Sequence, residues 1–245
     1  MKWVILIGVS FAVLGILVWS FGPRIIYTAW LIVRVTPYEQ TIPGAPTILV
    51  LGDSTGYGTG AMAGEYSIAG RLGRDLPDYS IQNNSANGRT IEDLQPVARD
   101  VRGQYALILL QIGGNDILDA RDPFIVEQEL REIVRVLNDN TEHVIMMSSG
   151  NVGAAAVFEG EEAAMMEART RAFRDMFVQV ASTTELTYVD LFLEPENDPF
   201  IAEPERYLSL DGLHPSDAGY GFWYEQLRPV VREVLSVDGR VEEAN

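Results

Sequence analysis

Five short apolar runs punctuate this chain at 47–51, 79–83, 105–112, 143–148 and 187–192. Between them lie stretches of helical character near 65–75, 90–102, 124–138 and 161–182, with a last one near 216–236. Such alternation leaves few architectures open. Parallel strands cannot be joined by tight hairpins, so each crossover carries a helix, and the helices end up covering both faces of one sheet. The expected fold class is α/β, a three-layer α/β/α arrangement around a five-stranded parallel sheet. Ligands bind such sheets at the carboxyl ends of the strands, so the residues that follow each run are where chemistry belongs.

Those segments are rich in small and polar residues: Gly52-Asp53-Ser54 after the first run, NNSANGRT after the second, GGNDIL after the third and SGNVGAAAVFE after the fourth, with LSLDGLHPSDAG before the last helix. Taken alone, Gly52-Asp53-Ser54 reads as a polar turn. Gly52-x-Ser54-x-Gly56 has the letters of a nucleophile elbow, yet that motif needs an oxyanion loop upstream of the serine, where this chain offers an apolar segment and a linker. Gly58-x-Gly60-x-x-Ala63 starts too far past Leu51 to be a dinucleotide fingerprint. His214 changes the reading of Ser54. A serine hydroxyl needs a base to take its proton, and the base needs a group to fix its tautomer. Asp211, three residues before His214 in one loop, can reach Nδ1 and leave Nε2 to face the serine. Asn115 could supply an amide, and Gly88 a backbone N–H, to an oxyanion. His143 opens a strand and reads as structural.

Gly52-Asp53-Ser54, Gly88 within Asn83-x-Ser85-x-x-Gly88, Gly113-x-Asn115-Asp116 and Asp211-x-x-His214 come in the order of the SGNH (GDSL) hydrolase family, which this chain resembles over about residues 47–235. The resemblance implies a flavodoxin-like domain and an esterase with no cofactor and no metal. It further implies Ser54 as nucleophile, His214 as base and then acid, and Asp211 as the group that orients His214. The oxyanion hole would comprise the N–H groups of Ser54 and Gly88 and the Asn115 side chain. Thr55 departs from the leucine in the family's name.

Composition narrows the rest. The chain has no cysteine, which removes disulfides, thiolate metal sites and cysteine nucleophiles. Its two histidines are not clustered with carboxylates in any metal-ligand spacing. With a net charge of −17 and no basic run, it is not a nucleic-acid binder. Trp3 to Gly22 holds no charge and is long enough to cross a bilayer as helix, without the small-residue site of a cleaved signal.

The expected organisation is therefore a transmembrane anchor at 1–22, a juxtamembrane helix and Pro-rich linker at 23–45, the hydrolase domain at 46–237 and a tail at 238–245. Lys2 and the amino terminus compete with Arg24 and Arg34 over orientation, and the expectation tilts to a catalytic domain outside the cytoplasm. The expected partners are the membrane and a small-molecule or lipid ester. A tether at the bilayer favours a lipid ester of the lysophospholipid kind. Alternatives are a carbohydrate O-acetyl esterase, an acyltransferase and a tethered binding module with an inactive site. Small residues after the fourth strand, with Val157 and Phe158, are candidates for an acyl-pocket wall or for core, and Arg89 is expected to pair with a surface acid.

Overall fold

The computed structural model describes residues 35–237. The expected span at 3–22, the stretch at 24–34 and the tail at 238–245 lie outside the described residues. Among the described residues no helix is long and apolar enough to cross a membrane.

The apolar runs become β1 (Thr47–Gly52), β2 (Ser80–Asn83), β3 (Leu107–Gln111), β4 (Val144–Met147) and β5 (Leu186–Val189). They form one sheet in the order β2-β1-β3-β4-β5, every pair parallel. The helices are α1 (Ser54–Tyr57), α2 (Ile68–Asp75), α3 (Ile91–Arg99), α4 (Gly114–Leu118), α5 (Pro123–Leu137), α6 (Gly160–Ala181), α7 (Pro199–Ala202), α8 (Pro204–Tyr207) and α9 (Asp217–Val237). Strand pleating sends alternate residues to opposite faces. Ile48 and Val50 join the core under α2 and α9, while Leu49 and Leu51 join the core under α3, α5 and α6. A strand covered on both sides has no polar face, which is why β3 reads LILLQ with every residue buried.

Local signals set where the helices begin. Ser67 accepts the Gly70 N–H at the start of α2, and Thr90 and Asp93 form a reciprocal capping box on α3. Asp122 caps α5, whose first residue is Pro123, a position where the missing N–H costs nothing. Because each helix runs back from the carboxyl end of a strand, the starts of α1 to α6 and of α9 collect at one edge of the sheet.

Residues 35–45 differ from the expected linker. Val35 is buried and Tyr38 packs on the core beneath α2. Gln40 pairs with Ile81 of the edge strand β2, antiparallel, through bonds of 3.0 and 2.8 Å. Its side chain donates to the Tyr79 carbonyl at 2.8 Å, and the Ile42 N–H donates to the Ser80 hydroxyl at 2.9 Å. The prolines that suggest a linker keep the segment out of the sheet ladder proper, and it becomes a strap that covers an otherwise open edge.

Truncation tests the strap. A chain starting at residue 46 should be less stable than one starting at residue 35 by about 3 kcal/mol, from the lost burial of Val35 and Tyr38, as read from urea unfolding midpoints.

Candidate active site

At the end of β1 the Asp53 N–H donates to the Gln111 carbonyl at 3.0 Å, which holds the chain to β3 as it leaves the sheet. The Asp53 carboxylate then caps α1, accepting the Thr55 N–H at 2.8 Å and the Thr55 hydroxyl at 2.7 Å. Burial pushes this carboxyl up from its ordinary 3.8, against the pull of the two Thr55 bonds. Ser54 is thereby fixed as the first residue of a short helix, at the carboxyl edge of the sheet.

His214 reaches Ser54 from the other end of the domain. Its Nε2 lies 2.9 Å from the Ser54 hydroxyl and its Nδ1 lies 2.7 Å from Asp211 Oδ2. The other Asp211 oxygen accepts the Ser209 hydroxyl at 2.6 Å and the N–H groups of Leu213 and His214 at 2.9 and 3.0 Å. Burial works to raise the Asp211 carboxyl, but the bond to His214, its charge and the Ser209 and Leu213 donors outweigh it, leaving the group below the usual carboxylate range. A carboxylate on Nδ1 keeps that nitrogen protonated and leaves Nε2 to accept the serine proton.

Three contacts hold the two loops together. Tyr220 donates its hydroxyl to the Thr59 carbonyl at 2.7 Å, and the Met62 N–H donates to Asp217 at 2.8 Å. Gly60, at φ +100°, lies where a β-carbon would collide with the Pro215 carbonyl and the His214 side chain.

Asn115 is in α4, directly after β3, and lines the cavity beside Ser54. One of its amide hydrogens goes to the Arg89 carbonyl at 3.0 Å, which leaves the second for the cavity. The next residue, Asp116, is fully buried. It accepts the Ile91 N–H at the start of α3 and, at 2.8 Å, the Arg121 guanidinium, which Glu129 and Glu92 hold from the outside. Burial pushes the Asp116 carboxyl up to about 6, although Arg121 and the Ile91 N–H lower it. Gly88 occupies an exposed left-handed turn, φ +75°, one residue before the carbonyl that holds Asn115, and is not part of the cavity wall.

The cavity opens to solvent beside Ser54. Leu118, Leu191, Leu193, Phe200, Leu213 and Trp223 make its apolar wall, and Val152, Ala154 and Ala155 line the side above β4. Of the candidate wall residues after β4, Val157 is exposed and Phe158 packs on the core under α6. Two polar groups on the wall were not legible in the sequence. Asp198 accepts the Phe200 N–H at 2.9 Å, and burial raises its carboxyl. Asn151 accepts the Gly153 N–H at 3.0 Å, while its buried amide nitrogen finds no partner among the described residues. An Asp-Pro pair signals only a helix start, and nothing local marks an asparagine as cavity-facing. Arg89, expected on a surface acid, donates instead to the carbonyls of Asn84 and Gly52 at 2.6 and 3.4 Å. His143 belongs to the opposite edge, where its carbonyl accepts the Ile108 N–H. Among the described residues no cluster of ligands suits a metal ion.

Residues 50–222 match the GDSL-like Lipase/Acylhydrolase family. The chain belongs to that family. It is an SGNH-type hydrolase of carboxylic esters. Solved structures of similar fold include a member of the lipolytic G-D-S-L family from Veillonella parvula, with a TM-score of 0.62 at 17% identity over 76% of this chain and 98% of that one. An extracellular lipase from Streptomyces rimosus gives 0.57 at 15% identity over 78% and 100%. A variant of a Geobacillus acetyl-xylooligosaccharide esterase gives 0.56 at 19% identity over 84% and 99%. No curated protein matched the sequence. Where the family's name has leucine, this GDSL-like chain has Thr55, and its hydroxyl is one of the donors that hold Asp53.

The two acids should affect stability with opposite sign. Asp211, depressed, contributes stability that is complete above its ordinary 3.8 and is lost as the pH falls below it. Asp116, raised to about 6, takes up a proton in the folded chain first, so folding gains as the pH falls from 6 towards 3.8. In urea unfolding the deficit of Asp211→Asn should stay constant from about pH 7 to 5 and shrink below about pH 4. That of Asp116→Asn should widen between about pH 7 and 4.

Proposed function

We propose that this hydrolase is a membrane-anchored serine esterase that cleaves acyl esters of the lysophospholipid kind through an acyl-serine intermediate. The observation that carries the catalytic part is the unbroken relay from Asp211 through His214 to Ser54, with contacts of 2.7 and 2.9 Å. In this reading the Ser54 oxygen attacks the ester carbonyl carbon as its proton passes to His214 Nε2. The oxyanion of the tetrahedral intermediate accepts hydrogen bonds from the Ser54 N–H and the free Asn115 amide hydrogen. His214 then returns the proton to the departing alcohol, and water repeats the sequence to release the acid. Gly88, outside the cavity wall, has the least support of the three expected donors.

The reach of the cavity supports this substrate class. It extends from Ser54 after β1, past Leu118 after β3 and Ala155 after β4, to Leu191 after β5. Neighbouring strands lie about 4.8 Å apart, so this is roughly 14 Å of largely apolar wall, more than an acetyl group fills. The uncharged run from Trp3 to Gly22 supports single-pass anchoring, and in this reading the catalytic domain lies outside the cytoplasm.

The deciding experiment follows hydrolysis of p-nitrophenyl esters from acetyl to palmitoyl by the full chain in detergent, beside Ser54→Ala. Activity should vanish in the variant and peak at medium or long acyl groups. A peak at acetyl would turn the reading to a carbohydrate O-acetyl esterase. Folded protein without serine-dependent turnover at any length would turn it to a binding module. Asn115→Ala should lower kcat by about 10²- to 10³-fold with little change in KM. Ala155→Phe, which fills the wall above β4, should suppress long esters while sparing acetyl.

A further inference from the structure

The strap places the beginning of the described chain beside the nucleophile. A β-carbon at Gly58, the residue that ends α1, would lie 3.9 Å from a Val35 methyl, and one at Gly64 would lie 3.0 Å from the Thr36 carbonyl. From there the strap descends along α2 to Gln40 and Ile42 beside β2, reaching the opposite edge of the sheet only at Thr47. Val35 is buried, so the chain enters the described fold at this point, directly after a stretch, 23–34, whose sequence is apolar between Arg24 and Arg34. The described chain therefore begins at the carboxyl edge of the sheet, on the side of the active-site mouth.

The same edge carries the exposed apolar side chains. Nine large ones are exposed among the described residues. Met62 and Tyr66 lie between β1 and α2, and Ile201 and Leu210 between β5 and α9. Val157, which packs within 3.5 Å of the position a β-carbon would take at Gly212, borders the histidine loop. Phe124, Ile125 and Met165 are in the first two turns of α5 and α6, which start at this edge. Only Val178, in the last turn of α6, belongs to the other end. Eight of the nine lie at this end of the sandwich, and exposed apolar surface gathered at one end of a domain marks a partner site.

We propose that the carboxyl edge of the sheet, with the mouth of the active site, lies against the lipid surface, and that the strap fixes this orientation. The inference rests on reading residues 3–22 as the anchor. An ester whose head is at the interface would then enter the cavity without leaving the bilayer for water. With a net charge of −17 the chain favours a zwitterionic surface over an anionic one.

The absence of cysteine makes the test direct. Single variants Leu210→Cys and Met62→Cys at the edge, and Val178→Cys opposite, are labelled with an environment-sensitive fluorophore. The full chain is then reconstituted into phosphatidylcholine vesicles containing nitroxide-labelled lipid. Both edge labels should shift to the blue and be quenched severalfold more than the label at Val178. A chain that floats with the vesicles but shows equal quenching at all three sites overturns the orientation and leaves the anchor standing. A chain that fails to float overturns both. Turnover of a soluble p-nitrophenyl ester by each labelled protein reports the fold and the esterase reading separately, and Met62→Cys carries the comparison if Leu210→Cys is inactive.

Discussion

A serine hydroxyl is inert towards an ester until a base meets it, and the imidazole that lies against Ser54 comes from 160 residues further along the chain. Everything else in the domain serves that meeting. All five strands point the same way, so β1 delivers Ser54 to the edge from which the histidine loop and α9 start. The two loops are then locked by contacts that tolerate no slack, among them the close passage of Gly60 under Pro215. A packed sheet supplies rigidity that loops alone do not have, and a reacting pair loses much of its advantage when it drifts by an ångström.

Buried acids organise the surrounding backbone. Asp53 gathers the donors that start α1, Asp116 gathers the one that starts α3 together with Arg121, and Asp211 gathers three donors besides the imidazole. Each carboxylate gives up hydration on burial and recovers it as fixed N–H and O–H groups, which is what makes a buried acid tolerable. The return is positional. Ser54, Asn115 and His214 are each next to, or bonded to, an acid whose geometry is over-determined.

Much of this was legible beforehand, for physical reasons that differ by element. The strands announce themselves as apolar runs because they are covered on both faces, and the structure shifts their bounds only at the ends, as where His143 precedes Val144 and β5 begins at Leu186. The long helices show their period. The short helices α1, α4, α7 and α8 do not, since four or five residues hold too little of a period to read. The meeting of Ser54, His214 and Asp211 was foreseeable because polar residues cluster after strands. The strap was hidden because proline looks alike in a tether and in a segment bound along an edge strand. Asp198 and Asn151 were hidden because nothing in their neighbours says which side chains share a cavity. Arg89 was misjudged for a related reason: its partners are backbone carbonyls, which no sequence pattern displays.

Tyr220 has one further consequence. It is fully buried in α9, the last element among the described residues, and its hydroxyl bonds the carbonyl of Thr59 in the loop just beyond Ser54. A growing chain makes that loop 161 residues before it makes Tyr220, so the contact between Ser54 and His214 lacks this support until synthesis has passed the histidine loop and α9 has docked.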